Sequence, residues 1–159
     1  MPSQVSAARR IAVFVVGRHT DPVFTSTGAV CDRYPHLLDA DNLREAALET
    51  GRLEPDEAGR TPLPLLRIDT TASVPTGPYR PLDGRAVPFP NSPRLLAGLI
   101  ADARRVGVAS GALIAVDGPP ALRHRLRGAV VEYLRHAGFD VVLYLPGWVL
   151  DEGLLARTS

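Results

Sequence analysis

Predominantly apolar runs give the strongest structural signal along the chain. Three of them cover residues 10–17, 64–70 and 113–117, and a fourth lies within 139–147. Runs that are apolar at successive positions are typical of strands buried on both faces of a parallel sheet, because helices cover each face. We therefore interpret these four segments as strands of one sheet.

Amphipathic helices are predicted between the runs. Three segments show helical periodicity, and they cover residues 39–51, 92–107 and 119–138. Asp39 or Asp41 is the expected N-cap of the first helix, and Ser92 that of the second, because short polar side chains accept hydrogen bonds from free backbone N–H groups. A glycine follows each helix, where it favours a stop.

Short links between strands and helices determine the expected topology. Parallel neighbours joined by right-handed crossovers give an α/β fold, here a three-layer sandwich with a mostly parallel sheet of four or five strands. The segments 11–16, 65–69 and 113–117 are predicted to be neighbours in it. We expect one continuous core, formed by Leu99, Ile100, Leu113, Ile114, Val116, Leu126, Val130 and Val142.

The length of 159 residues fits a single α/β domain over 1–159. Residues 74–91 are rich in proline and have no period, so they are predicted to form a long loop that serves as a binding loop, a lid or a segment wrapped on a partner. Residues 22–34 are ambiguous between a strand and a hairpin. Residues 148–159 are predicted to be a turn and a short terminal helix.

Composition and charge exclude several classes of partner. The net charge of +1 gives no general attraction to nucleic acid or to anionic membranes, so we expect neither as a partner. No apolar run approaches the roughly 20 residues that span a bilayer. Cys31 is the one cysteine and forms no internal disulfide, which favours a reducing, cytoplasmic location. The high content of arginine, alanine and proline is typical of a GC-rich bacterial genome.

All 18 basic residues are arginines, and this excludes several mechanisms. The stretch "IAVDGP" at 114–119 resembles the start of the phosphate-binding loop of nucleoside and nucleotide kinases. No "GK[ST]" follows it, and without a lysine a P-loop mechanism, a Schiff base and a lysine general base are all excluded.

Polar residues follow the ends of three predicted strands. In open α/β sheets ligands bind at the carboxyl ends of the strands. The candidate residues there are Arg18, His19, Asp69, Thr70, Thr71 and Asp117. Carboxylates at two adjacent strand ends provide oxygen ligands for a metal, so Asp69 and Asp117 are predicted to hold Mg²⁺. Alternatively, Asp69 begins a turn and Asp117 caps a helix.

The helix that follows Asp117 carries basic residues in its first two turns. Arg123, Arg125 and Arg127 lie there, together with the free N–H groups of the helix start. This combination favours binding of a phosphate or a carboxylate. The alternative is an arginine face that is only solvated.

Histidine and cysteine allow two further interpretations. His19, Cys31 and His36 provide zinc ligands, with Asp21 or Asp32 as the fourth, although their spacing matches no established zinc pattern. Cys31 is also a candidate nucleophile with His19 or His36 as its base. A lone cysteine is more often a small buried apolar residue.

Two functional hypotheses follow. In the first, the chain is a phosphate- or nucleotide-binding α/β domain or a metal-assisted hydrolase. Asp69 and Asp117 hold metal or ribose, Arg18, Thr70, Thr71 and Arg123 bind the ligand, and His19 with the two aspartates forms the catalytic set. In the second, the chain is a non-catalytic interaction module whose proline-rich loop and Trp148 contact a protein partner in an assembly or a homodimer.

Overall fold

The computed structural model describes residues 9–17, 22–70 and 86–152. The strands of this part of the chain are β1 (Arg10–Gly17), β2 (Val23–Ser26), β3 (Arg33–Leu37), β4 (Thr61–Asp69), β5 (Val87–Pro88), β6 (Gly111–Val116), β7 (Asp140–Val142) and β8 (Trp148–Asp151). Its helices are α1 (Leu43–Thr50), α2 (Pro93–Arg105) and α3 (Pro120–His136).

A parallel sheet with strand order β3-β4-β6-β1-β7 forms the centre of the fold. The short strand β5 pairs with Ile68 and Asp69 of β4, on the edge that β3 leaves uncovered beyond Leu65. The predicted α/β sandwich with a mostly parallel sheet is confirmed. The predicted neighbours are also confirmed, since β6 lies between β4 and β1.

The core consists of two layers, one on each face of this sheet. Ile11, Val13, Ile114 and Val116 pack against the helices, whereas the alternate positions face the other side. The prediction of one continuous core was therefore wrong. Ile100, Ile114, Val116, Leu126 and Val130 belong to the helix side with Leu99 packed against them, and Leu113 with Val142 belongs to the opposite side.

The helix side is covered by all three helices, because the buried residues of α1, α2 and α3 share one cluster. Ser92 is the N-cap of α2 as predicted, and its hydroxyl accepts from the N–H of Leu95 at 3.4 Å. The predicted cap of α1 was wrong. Asn42, rather than Asp39 or Asp41, stands next to the first turn and accepts from the N–H of Glu45 at 2.9 Å.

A two-stranded antiparallel ribbon of β2 and β8 packs on the opposite face. Phe24 of β2 and Leu150 of β8 pack against this side of the sheet, and the rings of Phe14 and Phe24 meet edge to face at 5.3 Å. The turn predicted at the start of 148–159 was wrong, because Trp148–Asp151 is a strand. The helix predicted after it falls on residues from 153 onward, outside the described residues. The ambiguous segment at 22–34 contains β2 and the start of β3.

Prolines explain why the beginning of β4 was missed. Pro62 and Pro64 have no N–H, which argues against a central strand. Here both lie in the half of β4 that pairs with β3, before β6 joins the other edge at Leu65. On the edge of β4 that faces β6, the hydrogen bonds between the strands begin only at Leu65, so no N–H group is needed from either proline.

The predicted loop at 74–91 falls partly outside the described residues, which resume at 86. Its end forms β5, which adds to the sheet beside β4. None of the described helices has the length and the apolar character that crossing a membrane requires.

Candidate functional site

Two predicted site residues lie on adjacent strands at the carboxyl end of the sheet. Asp69 ends β4 and pairs in register with Ala115 of β6, while Asp117 follows β6 two residues farther on. Strand spacing and rise put the two Cα atoms about 8 Å apart. Asp69 is only 3 % exposed, whereas Asp117 is exposed. One carboxylate is thus enclosed by the fold and the other faces solvent.

Backbone hydrogen bonds fix the position of Asp69. Its carbonyl accepts from the N–H of Phe89 at 3.2 Å, at the end of β5. Thr70, the next residue, donates to the carbonyl of Ala115 from its N–H at 3.1 Å and from its hydroxyl at 2.8 Å. These bonds join the carboxyl ends of β4, β5 and β6, so this part of the site is held by the sheet itself.

The start of α3 lies next to Asp117. Pro119 is its N-cap, so the prediction of Asp117 as a helix cap was wrong. No side chain caps this end, and its first turn holds no acidic residue. The positive end of the helix dipole is therefore not compensated by a carboxylate within the first turn.

Arg123 has a protein partner at this end of the sheet. Its Nη1 donates to Oε1 of Glu152 at 2.9 Å, directly after β8, and both side chains are partly exposed. A guanidinium has five N–H donors, so this ion pair uses part of its capacity. A ligand anion at Arg123 would share the guanidinium with Glu152 or displace that carboxylate.

Three predicted site residues, Arg18, His19 and Thr71, lie outside the described residues. Their predicted roles in ligand binding and, for His19, in catalysis stay predictions. Within 9–17, 22–70 and 86–152, no group of three or more histidine, cysteine, aspartate or glutamate residues is arranged to hold a metal ion. Mg²⁺ binding by Asp69 and Asp117 alone also stays a prediction.

The described members of the histidine and cysteine sets have other partners. His36 Nε2 and Glu49 Oε2 lie 2.6 Å apart, and the other oxygen of Glu49 accepts from the N–H of Asp39. Cys31 Sγ accepts from Nη1 of Arg60 at 3.7 Å. His36 and Glu49 thus connect β3 to α1, and Cys31 and Arg60 connect the segments that precede β3 and β4.

A groove of about 670 Å³ opens at the other end of the sheet. Ala12, Leu63, Val142 and Leu145 form an apolar floor that belongs to the ribbon-side layer. The groove lies where β1 and β4 begin, next to the end of the ribbon at which Trp148 begins β8. Pockets of roughly 300–1,000 Å³ with apolar linings are the usual size for small ligands.

Arginines from three elements line this groove. Arg10 begins β1, Arg33 begins β3, and Arg104 lies in the last turn of α2. Burial lowers the pKa of Arg33 from its ordinary value, Asp32 opposes this shift, and the positive charge of Arg104 adds to it. The groove therefore combines an apolar floor with neighbouring positive charges.

One wall of the groove is built by Cys31 and Trp148. The indole Nε1 of Trp148 donates to the carbonyl of Arg33 at 2.9 Å, and the guanidinium of Arg60 lies 4.9 Å from the ring centroid. Arg60 is itself paired with Asp56 at 2.7 Å. Trp148 is thus engaged within the chain.

The sequence matches no protein-family model, no curated protein and no solved structure. The functional conclusion accordingly depends on the chemistry of the two ends of the sheet. The groove was missed by sequence reasoning, because its arginines are 23 and 71 positions apart along the chain. The one available signal was that Arg10 and Arg33 stand at the starts of strands.

Proposed function

We propose that the chain is a ligand-binding α/β domain that holds a small phosphorylated compound at the carboxyl end of its sheet. The observation that carries the proposal is that a buried carboxylate, Asp69 at the end of β4, lies near Asp117, which follows the adjacent strand β6 beside the start of α3. Carboxylate oxygens suit Mg²⁺, and the free N–H groups of a helix start suit phosphate.

The division of roles follows from exposure and charge. Asp117 is exposed and is the side chain that reaches a bound metal or its water, while Asp69 lies deeper and fixes the negative charge of the site. Arg123 provides a charge-assisted hydrogen bond to the phosphate, in competition with Glu152. With a bound metal ion, water at the same place would be activated for hydrolysis, and His19 would be the acid or base.

Calorimetric titration with ATP, with and without Mg²⁺, tests this proposal. Asp117→Asn removes a negative charge next to the ligand, so without metal it leaves ATP binding unchanged or strengthens it. With Mg²⁺ present the same change weakens binding, because a metal ligand is lost. Asp140→Asn is the matched control, since it removes an exposed aspartate at the opposite end of the sheet. A wild-type chain that binds no ATP under either condition would overturn the proposal.

Arg123→Ala provides the complementary variant. It removes one cation and is expected to weaken ATP binding by roughly 1–3 kcal/mol, the range for a hydrogen bond to a charged group. Arg125→Ala removes the same charge from an exposed position of the same helix and serves as the control. Equal losses in both variants would contradict a specific role for Arg123.

The interaction module is the second candidate. Val23 and Val149 lie diagonally across the outer face of the β2–β8 ribbon, with Val149 opposite Thr25, and they are 53 % and 54 % exposed. Such a pair on an exposed ribbon favours contact with another protein, including a second copy of the chain. Light scattering over a range of concentrations tests the homodimer. A wild-type dimer that Val149→Ser converts to a monomer supports it, and a monomer at all concentrations contradicts it.

A further inference from the structure

The groove at the beginning of the sheet has the shape and lining of a ligand site. Its volume of about 670 Å³ suits a small organic molecule. Ala12 and Leu63 are buried members of the ribbon-side core, and Val142 with Leu145 packs against them. A ligand with an apolar body would therefore cover Val142 and Leu145, which are only partly buried.

The positive groups around this floor are held in place by backbone carbonyls. Arg33 donates from Nη2 to the carbonyl of Pro62 at 3.0 Å, and Arg104 donates from Nε to the carbonyl of Arg10 at 3.0 Å. These carbonyl contacts use part of the five N–H donors of each guanidinium group. Among the described residues that line the groove, Asp32 is the one acidic residue, set against three arginines.

Repulsion between the arginines gives an anion a further advantage. Arg33 is partly removed from water, which lowers its pKa, and the charge of Arg104 lowers it further, whereas the neighbouring Asp32 opposes both effects. An anion placed between these two guanidinium groups would relieve that repulsion. Arginine binds carboxylates through parallel N–H···O bonds, so a carboxylate fits this position.

We infer that this groove binds a small organic acid, with its apolar body on the floor and its carboxylate against Arg33 and Arg104. The site lies at the opposite end of the sheet from Asp69 and Asp117. It therefore goes beyond the phosphate site proposed above.

Two residues that each occur once in the chain make ligand binding in the groove directly measurable. Trp148 is the one tryptophan of the chain and Cys31 the one cysteine, and both line the groove. Tryptophan fluorescence and the rate of labelling by a thiol reagent each report on this place. Octanoate is the probe, 1-octanol is its uncharged counterpart, and acetate has the same head group without the apolar body.

Octanoate is expected to change the Trp148 emission and to slow the labelling of Cys31 with the same half-saturation concentration. 1-Octanol and acetate should each need at least a tenfold higher concentration. An absence of any octanoate effect would overturn the inference. Equal affinity for 1-octanol would show that the arginines do not select an anion, and equal affinity for acetate that the floor takes no part. Either result contradicts the site described here.

Arginine variants locate the carboxylate. Arg33→Gln and Arg104→Gln are each expected to weaken octanoate binding by at least tenfold. Arg105→Gln is the matched control, because Arg105 follows Arg104 in α2 but does not line the groove. Equal weakening by Arg105→Gln would indicate only a general effect of charge and overturn the assignment. Arg33 also connects β3 to β4, so if Arg33→Gln fails to fold, Arg104→Gln and Arg10→Gln decide.

Discussion

The two ends of one parallel sheet differ in the charge they present and in how that charge is held. At the carboxyl end, Asp69 is enclosed and the strand ends are joined by backbone hydrogen bonds. At the beginning of the strands, Arg33 and Arg104 surround an apolar groove and are oriented by carbonyls. Ligand sites are expected at the carboxyl ends of such sheets. Here a well-formed groove lies at the other end, because the β2–β8 ribbon covers only part of its face.

Glycine-to-alanine changes at the two ends should both destabilise the fold, and they differ in cause. A Cβ on Gly111, where β6 meets β1, would lie 2.2 Å from the carbonyl oxygen of Ala12. Because this oxygen and the Cα of Gly111 are fixed by the pairing of β1 with β6, Gly111→Ala is expected to cost about 3 kcal/mol or more. At the carboxyl end, Gly118 has φ of +125° and its Cβ would meet only the flexible end of Leu122. Gly118→Ala should cost about 1–3 kcal/mol.

Denaturant unfolding measures both glycine variants against Gly128→Ala. A Cβ at Gly128, inside α3, meets nothing within 4 Å, so this control should gain about 0.5–1 kcal/mol. A Gly111→Ala variant that is as stable as the wild type would contradict the close approach of β1 and β6.

Leucine truncations compare the helix-covered face with the groove. Leu126 of α3 and Leu63 of β4 are almost equally buried, at 6 % and 7 % exposure. Leu126→Ala leaves a cavity closed by helices and is expected to cost about 2–5 kcal/mol. Leu63→Ala enlarges an open groove that water can fill, so its cost should be about 1 kcal/mol smaller.

Thermal or denaturant unfolding of the two leucine variants gives this difference. A Leu63→Ala variant that is the more destabilised of the two would contradict the picture of an open groove over this part of the sheet.

Glu152→Gln should separate the ligands of the two ends. It removes the carboxylate that pairs with Arg123, so ATP binding should become roughly threefold to tenfold tighter, equivalent to about 1 kcal/mol. Octanoate binding should stay the same, because neither residue lines the groove. Calorimetry with both ligands measures the two effects. Unchanged ATP affinity would contradict the competition between phosphate and Glu152.

Acid should loosen the wall of the groove, and this is the smallest effect expected. Although partial burial would raise the pKa of Asp56, hydrogen bonds from Arg60 and Ala58 lower it below 3.8 overall. A carboxyl group with a lowered pKa stabilises the fold above its unfolded pKa, and this stabilisation is lost as the pH falls through the lower value. Trp148 lies under Arg60, so its emission should change in that acid range. Asp56→Asn should abolish this step, and a step retained in that variant would contradict the link.

Sequence predicted the sheet better than it predicted the layers around it. Predominantly apolar runs identified β1, β4 and β6 as neighbours, because burial on both faces leaves a clear pattern. The same runs did not reveal that the core has two layers. Successive side chains of a strand point to opposite faces, but here the side chains on both faces are apolar. The ribbon was also missed, because β8 pairs with β2 across 122 positions and no local pattern specifies such pairing.

The carboxyl-end site and the groove also differ in how well the sequence predicted them. Asp69 and Asp117 were found because each directly follows an apolar run, and the topology then brings adjacent strand ends together. Arg33 begins a short edge strand that contains a proline, and Arg104 ends a helix, so neither stands out. Their approach results from tertiary packing.

Calorimetric titration of ATP with Mg²⁺ into the chain, free and saturated with octanoate, tests the separation of the two sites most directly. If the phosphate binds at Asp117 and Arg123 while the organic acid occupies the groove, ATP binds with the same Kd in both titrations. The absence of ATP binding, or an ATP Kd that rises with octanoate concentration, would contradict two separate sites.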